Sequence, residues 1–347
     1  MAVLVTGTGF VGSYVVRDLL NAGEDVVLFG YFGGRGEPVT AELPDLKLLD
    51  HLLGGDALGR VKTVVGDISD LSAILAAIER HDVRSVVHLA SMVTAASTAD
   101  PLSAVRVNVE GTANVFEAAG KTELDAVAWA SSISLFGPRS AGPSGVITDE
   151  SLPDPRTVYG AGKLLCEQMA RTYHDKTGVD ITGLRLSRVY GFGEHVKAGR
   201  GGGSSWLLKL LHDPAVGVGP AVVPCGDFNL DFHYVEDVSD AFLRALRLRS
   251  GKGCAYLTHG DYRPVAEAFD FVRKLLPDAD MTLEPGLPDG SSQSWSWRFD
   301  AGRAEADLGV RSRFRMEDGV YRTINQYRLL AGLPPVPQPE ALSADLP

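Results

Sequence analysis

Tyr159 and Lys163 lie four residues apart in the stretch YGAGK. On a helix, positions i and i+4 share a face, so a phenol and an ammonium at this spacing can enter one pocket. A tyrosine with a pKa of about 10 is a weak base at neutral pH, and a cation about one turn away favours its phenolate. Tyr159 is the one tyrosine of this chain with a lysine four residues on. The competing reading is an amphipathic surface helix whose lysine runs its stem out to solvent. Ser131 and Ser132, in WASSISLFG (129 to 137), add two hydroxyls. They can donate to an oxygen that gains negative charge as a hydride moves, or simply bond their own backbone in a turn.

A hydride needs a carrier, and the N-terminus offers a seat for one. TGTGFVG, residues 6 to 12, places Gly7, Gly9 and Gly12 in the pattern G-x-G-x-x-G between a short apolar run and a helical pattern. The first glycine permits a tight turn, the second a close approach to a pyrophosphate, and the third close packing of helix on sheet. The helix start then offers open N–H groups and a positive dipole end to the anion. Such folds often carry an acid at the end of the second strand for the ribose 2′-hydroxyl. Here Gly30 stands there and Arg35 follows, which tilts the expectation from NAD toward NADP; the alternative for Arg35 is a solvated loop residue. Asp67, closing VVGD, is placed to meet the adenine edge or to begin a helix.

Elements that position these groups are legible along the first half. AVLVT (2 to 6), DVVLF (25 to 29), VKTVV (61 to 65), RSVVHLA (84 to 90), DAVAWAS (125 to 131) and DITGLRL (180 to 186) are short and apolar, as parallel strands buried on both faces are. Helical patterns separate them: VGSYVVRDLLNAG, SDLSAILAAIERH, PLSAVRVNVEGTANVFEAAG and residues 156 to 178. Repeated β-α-β units imply an α/β fold with a doubly wound parallel sheet, a Rossmann domain. Beyond Leu186 the pattern loosens through the glycine-rich AGRGGGSS (198 to 205), and VEDVSDAFLRALRLR (235 to 249) reads as a helix. The expected division is a dinucleotide domain of 1–186 plus 225–253, a smaller α+β substrate lobe of 187–224 plus 254–332, and a surface tail of 333–347.

Composition narrows the partners. A net charge of −11 argues against a nucleic acid or an anionic membrane surface. Three scattered cysteines, Cys166, Cys225 and Cys254, suggest neither disulfides nor a metal site. With no membrane-length apolar run and no signal-like start, a cytoplasmic enzyme acting on a small molecule is expected.

The ordered set TGTGFVG, VVGD, HLAS (88 to 91), VNVEGTANVFEAA (107 to 119), SSISLFG, YGAGK, LRLSRVYG (184 to 191) and DFHYVEDV (231 to 238) resembles the extended short-chain dehydrogenases/reductases, the NAD(P)-dependent epimerase/dehydratase family. That resemblance implies a catalytic set of Ser132, Tyr159 and Lys163, with Asn108 supporting it through its helix. It implies cofactor contacts from Gly7, Gly9, Phe10, Val11, Gly12, Asp67, Ile68, Leu89, Ala90, Ser91 and Asn108, along with Tyr159 and Lys163. It also implies a homodimer through the helices around 100–119 and 156–178.

Departures from the family pattern narrow the chemistry. Family members usually have TGxxGFxG, one residue longer than the turn here. Ile133 and Ser134 stand where sugar-nucleotide 4,6-dehydratases of the family carry an Asp-Glu pair. The glutamate of the decarboxylating members and the cysteine of the 3,5-epimerases are missing as well. Leu230 replaces a diphosphate-binding arginine, while Arg188 replaces an asparagine. Expected substrate contacts are therefore Ser131, Ser132 and Arg188, the last an anion partner or an inter-lobe salt bridge. Lys197 and Arg200 lie near the mouth of the glycine-rich loop. The leading expectation is hydride transfer at a secondary alcohol or ketone of a sugar-like or other polar molecule. Behind it stand a sugar-nucleotide 4-epimerase and a non-catalytic NAD(P)-sensing protein.

Overall fold

The computed structural model describes residues 1–32, 39, 40, 42–199, 205–248, 253–287, 297–339 and 342. Its centre is a seven-stranded, all-parallel sheet with strands β1 (Ala2–Thr6), β2 (Asp25–Gly30), β3 (Lys62–Val65), β4 (Val83–His88), β5 (Ala126–Ser132), β6 (Asp180–Leu186) and β7 (Ala255–Leu257). Across the sheet the order is β7-β6-β5-β4-β1-β2-β3. Chain progress reverses direction at β1, and the crevice beyond the carboxyl ends of β1 and β4 is where such a sheet takes a ligand.

The alternation of strand side chains divides the apolar interior in two. Val3, Val5, Val26 and Leu28 face one side, into a core shared with helix α1 (Phe10–Asn21) and the second lobe. Ala2, Leu4, Val27 and Phe29 face the other, against α3 (Leu71–His81), α4 and α5 (Val158–Thr177). Helix α2 (Pro44–Leu53) packs on α1. Helix α4 is a continuous run of three segments, Pro101–Ala104, Val105–Glu110 and Gly111–Lys121, and its middle segment is a π-turn. Sequence periodicity predicts one regular helix there. The extra residue in the π-turn instead places Asn108 on the buried side.

The second lobe gathers the helices Ser205–Val216, Val265–Leu275 and Met316–Leu330 around two small sheets. Strand Asn229–Tyr234 lies between Val189–Tyr190 and Asp261–Pro264 in one of them. Helix Val235–Arg247, α6, returns to pack on α1, β5 and β6, as its motif suggested.

Two boundaries differ from expectation. Strand Asn229–Tyr234, expected in the dinucleotide domain, pairs instead with Val189–Tyr190 and Asp261–Pro264 in a small sheet of the second lobe, because its partners lie far along the chain. Residues 255–257 pair in parallel with 183–185 and so complete the central sheet rather than the second lobe; three apolar residues are too short a run to identify by periodicity. The described part of the tail runs along the surface, exposed at 333–335, 337 and 338, and is docked there at one point. Val336 is buried, its N–H donates to Asn325 Oδ1 at 2.7 Å, and Tyr321 donates to its carbonyl at 3.2 Å.

Candidate active site

The glycine turn forms a cradle at the end of β1. Gly7 has φ +81°, and a Cβ there would stand 2.5 Å from the Ala90 nitrogen, so glycine is what lets the ends of β1 and β4 meet. Leu89 N–H donates to the Thr6 carbonyl at 2.9 Å and closes that contact. A Cβ on Gly12 would overlap the Gly7 carbonyl oxygen, so α1 can begin directly over the turn only because position 12 is glycine. Gly9 caps α1, and no side chain among the described residues bonds its first-turn N–H groups. Those of Phe10, Val11 and Gly12 therefore remain available to an anion. The Phe10 ring is turned into the core, which leaves only its backbone for that purpose. The residues present fit a dinucleotide pyrophosphate.

Around this cradle, the Asp67 carboxylate at the end of β3 accepts from Ser69 N–H at 2.9 Å and from the Ser69 hydroxyl at 2.8 Å. Ile68 is buried against Gly111 of α4. Leu89, Ala90 and Ser91 are half-buried at the mouth beyond β4. Asn108 braces that mouth: its Oδ1 accepts from Met92 N–H at 2.7 Å and from the Ser91 hydroxyl at 3.1 Å, while its Nδ2 donates to the Met92 carbonyl at 2.8 Å. Arg35 and Arg200 lie outside the described residues.

Lys163 is not a surface lysine. It is 2% exposed, and its Nζ donates to the Ala130 carbonyl of β5 at 2.6 Å. The same ammonium lies 5.5 Å from the centroid of the half-buried Tyr159 ring. Gly160 makes the next contact possible, since a Cβ there would overlap the Ser134 carbonyl. The loop carrying Ser132 can therefore lie against the start of α5, which Thr157 caps by accepting from Gly160 N–H at 3.0 Å. The Ser132 oxygen accepts from Ser134 N–H at 3.1 Å. Beta-strand alternation sends Ser131 to the opposite face, where its hydroxyl donates to buried Glu167 at 2.7 Å. Ser131, expected at the substrate, is engaged inside the protein instead.

Sequence reasoning passed over His88, at the end of β4. Thr112 donates its one hydroxyl proton to the Asn108 carbonyl at 2.7 Å, so it accepts from His88 Nε2 at 2.9 Å. Nδ1 is then the acceptor for the Thr6 hydroxyl at 2.7 Å. Burial first, then the Lys163 cation, hold the His88 pKa down to about 3, so the ring is neutral at physiological pH. It ties β1 and β4 to Thr112, at the start of the segment of α4 that follows the π-turn. The signal lay in HLAS, where a histidine ends an otherwise apolar strand.

Arg188 follows β6, whose last residue Leu186 is in register with Ser132. Its Nη2 donates to Glu194 at 2.5 Å, and Lys197 stands 3.9 Å from the same carboxylate. Burial lowers the Lys197 pKa to about 8. The Arg188 Nε is buried without a hydrogen-bond partner among the described residues. Leu230 is fully buried and binds no phosphate. No cluster of metal-ligating side chains occurs among the described residues, nor any helix long and apolar enough to cross a membrane.

A putative UDP-glucose 4-epimerase of Methanocaldococcus jannaschii is 26% identical over 330 residues, covering 93% of this chain and 97% of that protein. The crystal structure of UDP-glucose 4-epimerase from Thermotoga maritima with UDP-glucose superposes with a TM-score of 0.77 at 21% identity, over 95% of this chain and 99% of that one. L-threonine dehydrogenase from Clostridium difficile superposes with a TM-score of 0.76 at 20% identity, over 95% and 98%. The sequence profile of the NAD dependent epimerase/dehydratase family matches residues 3–256. The chain belongs to that family and is an enzyme of the extended short-chain dehydrogenase/reductase type.

Proposed function

We propose that this protein is an oxidoreductase acting at a secondary alcohol or ketone of a polar small molecule, with Ser132, Tyr159 and Lys163 as its working residues. The observation that carries this reading is the ammonium of Lys163, buried beside the half-open Tyr159 ring at the carboxyl edge of β5. When bound at the glycine cradle, a nicotinamide dinucleotide supplies the hydride acceptor or donor. Tyr159 exchanges the hydroxyl proton of the substrate. Lys163 sets its positive charge beside the Tyr159 ring and would hold the nicotinamide ribose. Ser132 donates to the reacting oxygen, and Arg188 receives an anionic group of the substrate.

A panel of hydroxy acids, amino-alcohol acids and sugars with NAD or NADP, read by nicotinamide absorbance, tests the reading. Net turnover with a substrate that is not a nucleotide sugar is expected, with tighter binding of NADP because Gly30 places no acid against a 2′-phosphate. Tighter binding of NAD would remove the argument from Gly30 and Arg35. The second reading is a sugar-nucleotide 4-epimerase, favoured by the named relative and opposed by buried Leu230. Interconversion of UDP-sugars without net redox would establish it over the first.

The functional unit in this reading is a homodimer. Leu102 and Val105 on α4 and Val158 and Leu165 on α5 are exposed, although these two helices pack side by side. A second copy covering them would remove this apolar surface from water. Light scattering should give a dimer for the parent chain and a monomer for Leu165→Glu. A monomeric parent rules the dimer out.

A further inference from the structure

Along α5, Tyr159, Lys163 and Glu167 follow at four-residue steps and form one stripe. The last two grip consecutive residues of β5: Lys163 bonds the Ala130 carbonyl at 2.6 Å, and Glu167 accepts from the Ser131 hydroxyl at 2.7 Å. Glu167 is held in turn by a two-pronged contact from Arg185, Nε to Oε1 at 2.9 Å and Nη2 to Oε2 at 2.8 Å. Arg185 is the register partner of Ser131 on β6. Its Nη1 continues to the carbonyl and carboxylate oxygens of Asp149, both at 3.0 Å. Asp149 also accepts from Leu257 N–H of β7 at 2.8 Å. Ser131, Glu167 and Arg185 are 1%, 3% and 5% exposed.

Buried ion pairs of this kind often add little stability over an apolar pair of similar volume, because desolvating each charge is costly. What this network does supply is geometry. It joins one helix to three adjacent strands through bonds that fix both the rotation of α5 and its position along the strand axis.

We propose that Ser131, Glu167, Arg185 and Asp149 form a positioning clamp that holds the stripe of α5 against β5, so that the Lys163 ammonium is set for the ribose of the dinucleotide. Ser131 is in this account a positioning residue, reaching the cofactor only through Glu167 and α5. The inference rests on the reading of Lys163 given above, and its test separates the two.

NADH is titrated by fluorescence into the full-length protein and into Ser131→Ala, Ser131→Thr and Lys163→Ala, with the melting temperature recorded for each. Ser131→Ala keeps the Glu167–Arg185 pair intact, so folding is expected to survive. Its NADH affinity should fall about tenfold, the effect of weakening one charge-assisted hydrogen bond, in protein still fully folded at the titration temperature although loss of the buried Ser131–Glu167 bond lowers the melting temperature. Ser131→Thr, which keeps the hydroxyl, should restore the affinity. Unchanged affinity in Ser131→Ala, or a loss explained by partial unfolding at the titration temperature, overturns the clamp. If Lys163→Ala binds NADH like the parent, the reading of Lys163 fails and the clamp fails with it. If only Lys163→Ala weakens binding, the clamp alone is wrong.

Discussion

Phenylalanine in place of Tyr159 should lower kcat about 10²- to 10⁴-fold, the range associated with loss of one general acid–base group. The phenyl ring keeps its place beside the Lys163 ammonium, 5.5 Å from the centroid, so packing at the head of α5 is preserved. Only the oxygen that exchanges the proton is lost. KM and cofactor affinity should change far less than kcat, because the missing interaction is made in the transition state. Initial rates on any substrate that the panel identifies, followed by nicotinamide absorbance, check this. Unchanged turnover would mean that another group carries the proton.

Gly12→Ala should remove most of the dinucleotide affinity, by about 100-fold, because the new methyl would overlap the Gly7 carbonyl oxygen. That oxygen belongs to backbone already fixed by the contact of Gly7 with Ala90, so relief must come from moving α1 away from the turn. The open N–H groups at the head of α1 move with it. Overpacking of this sort also costs roughly 1–3 kcal/mol of stability, visible as a lower melting temperature. NADH titration beside thermal unfolding separates the two effects. Alanine at position 12 with parent-like NADH binding would show that the pyrophosphate lies elsewhere.

Most of the site that could be read from sequence depends on local geometry. The i, i+4 spacing of Tyr159 and Lys163 places both on one face of any helix they share, and the glycine turn fits its position between β1 and α1. Ser131 shows where this reasoning stops. Two adjacent serines at a strand end look equivalent in sequence, but alternate faces send Ser131 to buried Glu167 while Ser132 bonds Ser134. Arg188 is similar: sequence offered an anion partner or an inter-lobe salt bridge, and the fold pairs it instead with Glu194, only six residues on, at 2.5 Å while leaving Nε without a partner among the described residues.

The sequence by itself determined the parallel α/β architecture, the glycine turn between β1 and α1 and the shared helix face of Tyr159 and Lys163, because apolar periodicity, glycine conformations and helical spacing act over a few residues. Tertiary structure alone decided the seventh strand, the π-turn that buries Asn108, the neutral tautomer of His88 and the docking of Val336. Each depends on partners distant in the chain: β7 on β6, Asn108 on the loop at Met92, His88 on Thr6 and Thr112, and Val336 on Tyr321 and Asn325. No local pattern encodes which distant group fills a buried hydrogen bond, and here those bonds hold the ends of β1 and β4 and the loop at Met92 in place.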